Sequence, residues 1–275
     1  LDAIDGRLEI RIQQKLESHV QTGNFFKLTA LCAALGASVA ANAAPVFDAN
    51  VTNNVIMGNG ITNGGFTVNT AGGVEVALRA RERHDLASDA PTNVTGSNGN
   101  GTYNQNAGEP AGFGGAGQNR ARWNFDWSIN TTASGLNLGR FTYRLGMDFD
   151  PSVNTNFQTF DLINVAFADH SFGNNSTAQS AGVEAANAAG YSALVTSSAL
   201  VQNSWNLDFF DTLPFVFNPL ANGNYSFFLE AISAQGFVTR TDIEVIVGTG
   251  AVPEPGSLAL IGLALAGLAV SRRRA

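Results

Sequence analysis

The sequence predicts an all-β protein, a β-sandwich or jelly-roll ectodomain carried between two terminal segments of different character. Three observations predict it. Apolar and polar residues alternate in run after run through the middle of the chain, Gly and Asn dominate the linkers, and no convincing interior helix interrupts the pattern. Alternation with a period of two means strands with one buried face, and about nine such strands joined by loops point to two packed sheets.

The elements follow in chain order. Residues 50–73 are rich in Asn and Gly, with short edge strands expected at 55–57 and 66–68. Residues 74–81 place Val74, Val76 and Leu78 on one face. Glu75, Arg79 and Arg81 share the other face, with Glu82 at its exit. The expectation is a solvated face carrying cross-strand pairs. Residues 93–117 show no packing pattern and read as a long mobile surface loop. Residues 123–129 alternate with larger side chains. Residues 141–149 are the cleanest strand, with five bulky groups on one face and Thr, Arg, Gly and Asp on the other. Further strands are expected at 162–168, 192–197, 204–210, 225–233 and 238–247, and 178–189 is the one stretch that suits a short helix. The faces carry Trp123, Phe125, Trp127, Phe141, Tyr143, Phe149, Trp205, Phe209, Tyr225 and Phe227. Each aromatic side chain buries roughly 150–250 Å², so together they supply much of the core.

Composition narrows the partners. The net charge is −7, and the middle of the chain is more acidic still, because no lysine lies between residues 44 and 250. A lysine-free acidic surface excludes nucleic acid, which needs a basic footprint, and disfavours anionic lipid. The single cysteine, Cys32, falls in the front segment, so the middle domain has neither thiol nor disulfide.

Residues that carry chemistry are sparse. Asp148 and Asp150 leave a strand for a turn, and Asp161, Asp169, Asp208 and Asp211 also stand near strand ends. Oxygen-rich loops hold calcium, which makes Asp148 and Asp150 weak calcium candidates. Asp-x-Asp equally starts Asx-type turns, and no EF-hand spacing follows. No metal site and no cofactor is expected. His84 and His170 each sit beside an aspartate, yet no serine occupies a nucleophile motif, no zinc spacing occurs and no glycine-rich phosphate loop opens a helix. The expectation is that the protein is not an enzyme.

The ends are more specific. Lys27, an apolar stretch at 28–40 and the run Ala41-Asn42-Ala43-Ala44 make a secretory signal peptide with cleavage between Ala43 and Ala44. Ahead of it, Ile4, Leu8, Ile12 and Leu16 recur at helical spacing, and residues 1–24 read either as an extended leader or as an over-called translation start. At the other end, Pro253, Glu254 and Pro255 form an extended spacer that cannot continue a helix. The apolar segment 258–270 follows, with Leu258, Leu260, Ile261, Leu263, Leu265, Leu268 and Val270 among its bulky residues. A core helix would show a polar face and this one has none, so a short single transmembrane helix is expected. Arg272, Arg273 and Arg274 form a basic stop that places the C-terminus in the cytoplasm. The domains expected are thus 1–43, 44–250 and 251–275.

Spacer, apolar helix and terminal arginine cluster, in that order, resemble the PEP-CTERM sorting signal of Gram-negative bacteria. The resemblance implies export, transient anchoring in the inner membrane and recognition by an exosortase, a membrane-embedded cysteine transpeptidase. Pro253, Glu254 and Pro255 would be the recognition motif, and the final location the cell surface or extracellular matrix. It also implies a role around extracellular polysaccharide and biofilm. Three functions stay open for the domain: a non-enzymatic surface or matrix protein; a carbohydrate-binding module using exposed tryptophans; and a hydrolase, which would need a cleft gathering His84 or His170 with a carboxylate and a serine.

Overall fold

A computed structural model describes residues 43–84, 92–110, 119–152, 154–211 and 216–249. The strands are β1 (Val46–Ala49), β2 (Phe66–Ala71), β3 (Val74–Glu82), β4 (Thr102–Gln105), β5 (Trp123–Asn130), β6 (Thr142–Asp148) and β7 (Phe157–Phe160). They continue as β8 (Ser171–Gly173), β9 (Leu200–Trp205), β10 (Gly223–Ser233) and β11 (Gly236–Val247), with one helix, α1 (Ala188–Ser197). Two sheets form, in the orders β1-β2-β3-β5-β9-β8 and β4-β11-β10-β6-β7. Every described pairing is antiparallel except that of β4 with β11. The all-β class is therefore observed.

The sheets meet through the apolar faces read from the alternation. Val76 and Leu78 of β3, Trp123, Phe125 and Trp127 of β5, and Tyr143, Leu145 and Met147 of β6 share one core with Tyr225, Phe227 and Val245. Trp123 is edge-on to Phe227, with centroids 6.2 Å apart, and Phe125 lies 4.7 Å from the same ring. Aromatic contacts across the sheet interface thus register β5 on β10. The β2–β3 hairpin turns on Gly72 and Gly73, with φ of +57° and +76°. Two consecutive positive φ values define the turn whose twist matches paired strands.

Several local expectations are corrected. Residues 162–168 form no strand, because Asp161 Oδ1 accepts the amides of Ile163 and Asn164, each at 2.9 Å, and turns the chain. Residues 192–197 belong to α1, which starts where the Asn187 side chain accepts the Gly190 amide. The helix expected at 178–189 is mostly loop. The strand expected at 204–210 ends at Trp205, since the Asn206 side chain begins a tight helical turn. That turn leaves Phe209 56% exposed instead of in the core. In the described part of 93–117, β4 pairs with β11 and buries Tyr103 completely, so this is no free loop. Residues 66–68 are strand as expected, whereas 55–57 are not.

The outer face of the second sheet carries a packed aromatic. Phe228 lies flat over Gly146 of the neighbouring strand, held by Arg240 at 3.8 Å from its centroid and by Phe157 at 5.0 Å. A Cβ on Gly146 would lie 2.0 Å from the Phe228 ring. Gly146→Ala should therefore destabilise the fold by about 1–3 kcal/mol through overpacking. A urea melt of wild type and variant checks this, with the expected sign a lower midpoint.

Candidate functional site

The outer face of the first sheet is polar in sequence, yet it is not solvated. Antiparallel register sets Arg79 beside Asp126 and Asp126 beside Ser204, and one row along Arg81 lies beside Asn124. Arg79 and Arg81 are each 1% exposed and Asp126 is fully buried. Both arginines donate Nε–H to Asp126 Oδ2 at 2.8 Å. Burial alone would push the Asp126 carboxyl up; Arg81 and Arg79 outweigh it and hold the group below its ordinary value. Arg79 also lies 4.1 Å over the Phe66 ring. The solvated face expected for Glu75, Arg79 and Arg81 is thus corrected.

What covers this face is the irregular segment between β1 and β2. Val51, Val55 and Met57 pack with Phe66, Val68 and Ala77 in a second apolar cluster. A segment without strand partners must still satisfy its buried backbone groups, and the sheet's polar side chains do so. Glu75 accepts the Thr52 amide at 2.9 Å and also the Thr52 hydroxyl. Gln202 Oε1 accepts the Ile56 amide at 2.8 Å, while its Nε2 donates to the Asn54 carbonyl at 3.0 Å. Arg79 Nη1 donates to the carbonyls of Thr62 and Gly64, at 3.0 and 2.5 Å.

The covering segment stops short of one end of the sheet and leaves a cleft of about 320 Å³. Its floor is Asn124 and Ser204, with Ser204 Oγ accepting from Asn124 Nδ2 at 3.0 Å and from Arg81 at 3.3 Å. Met57 and Ile61 also line it, Arg83 and His84 come from the end of β3, and Arg120, ahead of β5, is bonded to Asp208 beyond β9 at 2.8 Å. Asp169 and Ser171 come from β8 and the residues before it.

The residues singled out from sequence fall as follows. Trp123, Trp127 and Trp205 are all buried, at 1%, 0% and 8% exposure, so none is a platform for an external sugar. His170 is buried with both ring nitrogens engaged: Nε2 donates to the Leu162 carbonyl at 2.7 Å and Nδ1 accepts from Asn203 at 3.1 Å. Burial pushes its imidazole below the ordinary value, against the Leu162 carbonyl and Asp169. His84 lines the cleft together with Asp169 and Ser171, but β3 and β8 are three strand spacings apart, about 14 Å. Asp148 Oδ1 accepts the amides of Asp150 and Asn156 at 3.0 and 3.1 Å, and Asp150 Oδ1 accepts that of Ser152 at 3.0 Å. Burial pushes the Asp148 carboxyl up in spite of those amides. Both aspartates act as turn caps here, and among the described residues no group of three or more His, Cys, Asp or Glu could hold a metal ion. Ala43 and Ala44 are exposed just ahead of β1.

Residues 1–42, with the apolar stretch 28–40, lie outside the described residues, as do Pro253, Glu254, Pro255, the expected anchor 258–270 and Arg272, Arg273 and Arg274. Among the described residues no helix is long and apolar enough to cross a membrane. Sequence reasoning missed the cleft, whose residues are scattered from Met57 to Phe209 and are joined only by sheet register.

Fold and site define an all-β domain with a small polar cleft on one sheet and with Ala43 and Thr249, at either end of its described chain, both exposed. Its C-terminal continuation says how it is handled. Residues 251–274 match the family model described as the PEP-CTERM protein-sorting motif, so the chain carries that motif at its C-terminal end, which supports an exported protein sorted by an exosortase. The motif further implies transient membrane anchoring before processing. No curated protein and no solved structure matches the chain.

Asp126→Asn would leave two buried guanidinium groups without their counter-charge. The loss expected is about 3–5 kcal/mol, the usual cost of breaking a buried ion pair from one side. Chemical denaturation checks it, and a change of under about 1 kcal/mol would mean that the arginines find water instead.

Proposed function

We propose that the domain is a non-enzymatic surface or extracellular-matrix protein associated with extracellular polysaccharide. In this reading it is anchored briefly in the inner membrane with its C-terminus cytoplasmic, and an exosortase then passes it outward. The observation that carries the reading is the sorting motif at residues 251–274. Pro253, Glu254 and Pro255 are the recognition element, residues 258–270 the temporary anchor, and Arg272, Arg273 and Arg274 the stop that orients it. The exposed Ala43–Ala44 junction ahead of β1 suits removal of a signal peptide without disturbing the fold.

The non-enzymatic part is supported by the cleft. Ser204 Oγ is held by donors from Asn124 and Arg81. A nucleophilic serine needs a base in hydrogen-bond reach to take its proton. The ring nitrogens of His170 are committed to Leu162 and Asn203. His84 stands on the far side of the cleft from Asp169 and Ser171. Polysaccharide association is favoured by the acidic, lysine-free middle of the chain, which suits neither nucleic acid nor anionic lipid.

The test is fractionation of an exosortase-carrying Gram-negative host. Replacing Pro253, Glu254 and Pro255 by alanine should hold the protein in the inner-membrane fraction, while wild type leaves it with an N-terminus at Ala44 by mass spectrometry. Equal surface delivery of the two proteins would refute the sorting assignment.

A further inference from the structure

The domain stays closed up to its last described residues. Val247 pairs with Gly223, the Gly248 amide donates to the Gln105 carbonyl at 2.8 Å, and the Asn222 side chain donates to the Thr249 hydroxyl at 3.2 Å. Gly248, at φ +63°, lies so close that a Cβ there would be 2.0 Å from Asn222 Oδ1. The turn that carries Asn222 is held on two sides. Its Pro219 carbonyl accepts the Gly108 amide at 2.8 Å beyond β4, and Asn224 at the start of β10 donates its amide to the Pro151 carbonyl at 3.1 Å beyond β6. One end of the second sheet is thus a built surface, and the chain continues from it beyond Thr249.

Three residues, 250–252, separate Thr249 from Pro253. A chain advances at most about 3.6 Å per residue, so by any path Pro253 lies within about 14 Å of Thr249, and Pro255 within about 22 Å. A folded protein of 100 residues already has a radius of gyration of about 13 Å. An enzyme that reads Pro253, Glu254 and Pro255 therefore stands against this end of the domain.

The surface it meets is shaped by the 218–222 turn. Asn218 Oδ1 accepts the Leu220 amide at 3.0 Å, and the Asn218 carbonyl accepts the Ala221 amide at 3.1 Å. The turn sends Phe217 and Pro219 inward and leaves Leu220 outward, 65% exposed. A leucine on a turn already fixed by hydrogen bonds offers apolar area with little ordering cost on binding. Asn218, Asn222 and Thr249 nearby are exposed and uncharged.

We propose that the exosortase docks on this end of the domain, through Leu220 and the 218–222 turn, as well as on the motif itself. The contact holds Pro253, Glu254 and Pro255 at the enzyme, so the folded domain is part of the sorting signal. The proposal rests on the reading of the chain as an exosortase substrate and names the second surface that the enzyme uses.

The test uses the full chain in an exosortase-carrying Gram-negative host, pulse-labelled, with removal of the C-terminal segment followed in time. Leu220→Asp changes an exposed side chain, so the purified variant should keep the urea midpoint of wild type. It should slow removal about tenfold, the scale of one buried leucine. Ten Gly and Ser residues inserted after Thr249 let Pro253 lie up to about 50 Å away and should slow removal to a similar extent. In that lengthened chain Leu220→Asp should add nothing, because both changes remove the same contact. Leu220→benzoylphenylalanine should photo-crosslink to the exosortase, and Gln235→benzoylphenylalanine, beyond the other end of β10 and about 35 Å away, should not. Wild-type removal rates in Leu220→Asp or in the lengthened chain, additive slowing by the two changes, or crosslinking to lipid alone at position 220 would each overturn the proposal. Replacing Pro253, Glu254 and Pro255 by alanine separates the two readings. Normal processing of that variant refutes the sorting assignment; a block there with wild-type processing of Leu220→Asp refutes only this inference.

Discussion

Asp126 sits fully buried in the middle of a sheet, and the first sheet is arranged around making that tolerable. A lone carboxylate there would be neutralised or expelled. Arg79 and Arg81, two residues apart on β3, bracket it from one side of the strand pair. Their Nη1 atoms then need acceptors, and they find them in the carbonyls of Thr62, Gly64 and Thr92, while Arg79 Nη2 is buried without one. The ion triad thus obliges neighbouring loops to lie on the sheet. Glu75 and Gln202 do the same without an arginine by accepting amides from Thr52 and Ile56. Replacing such a triad by apolar residues is often neutral in stability. Here the polar face has a second role, because it fixes where an irregular segment runs.

That placement produces the cleft. The segment between β1 and β2 covers β2, β3 and the Gln202 end of β9, then turns away at Gly58 and Ile61. Asn124 and Ser204, beyond its edge, become a floor open to solvent, and Arg81 links the buried triad to that floor through Ser204. The strands build a cysteine-free body held by burial and sheet bonding, and the terminal motif implies its export.

The legible part of the sequence was the part whose meaning is local. Strands β3, β5, β6, β10 and β11 are long, alternate cleanly and appear where the alternation places them. The sorting motif was legible for the same reason, being contiguous. Short elements were not. Strand β4 has four residues and pairs in parallel with β11, so its only local sign is a buried Tyr103 among Asn and Gly. Helix α1 buries little beyond Tyr191 and Val195, and so weak an apolar stripe is indistinguishable from alternation. Phe209 continued the period set by Trp205, but the Asn206 side chain broke the strand between them. Least legible was the burial of Arg79 and Arg81. Alternation says which residues share a face and says nothing of a distant segment lying on it.

The claim on which the rest depends is that the polar face holds the segment before β2 as firmly as a strand is held. Amide hydrogen exchange of the intact chain measures this at Ile56, whose N–H is buried and bonded to Gln202. The account predicts protection at Ile56 comparable to that of the central strand β5. Exchange at Ile56 as fast as at the exposed turn around Asn98 and Gly99 would contradict it.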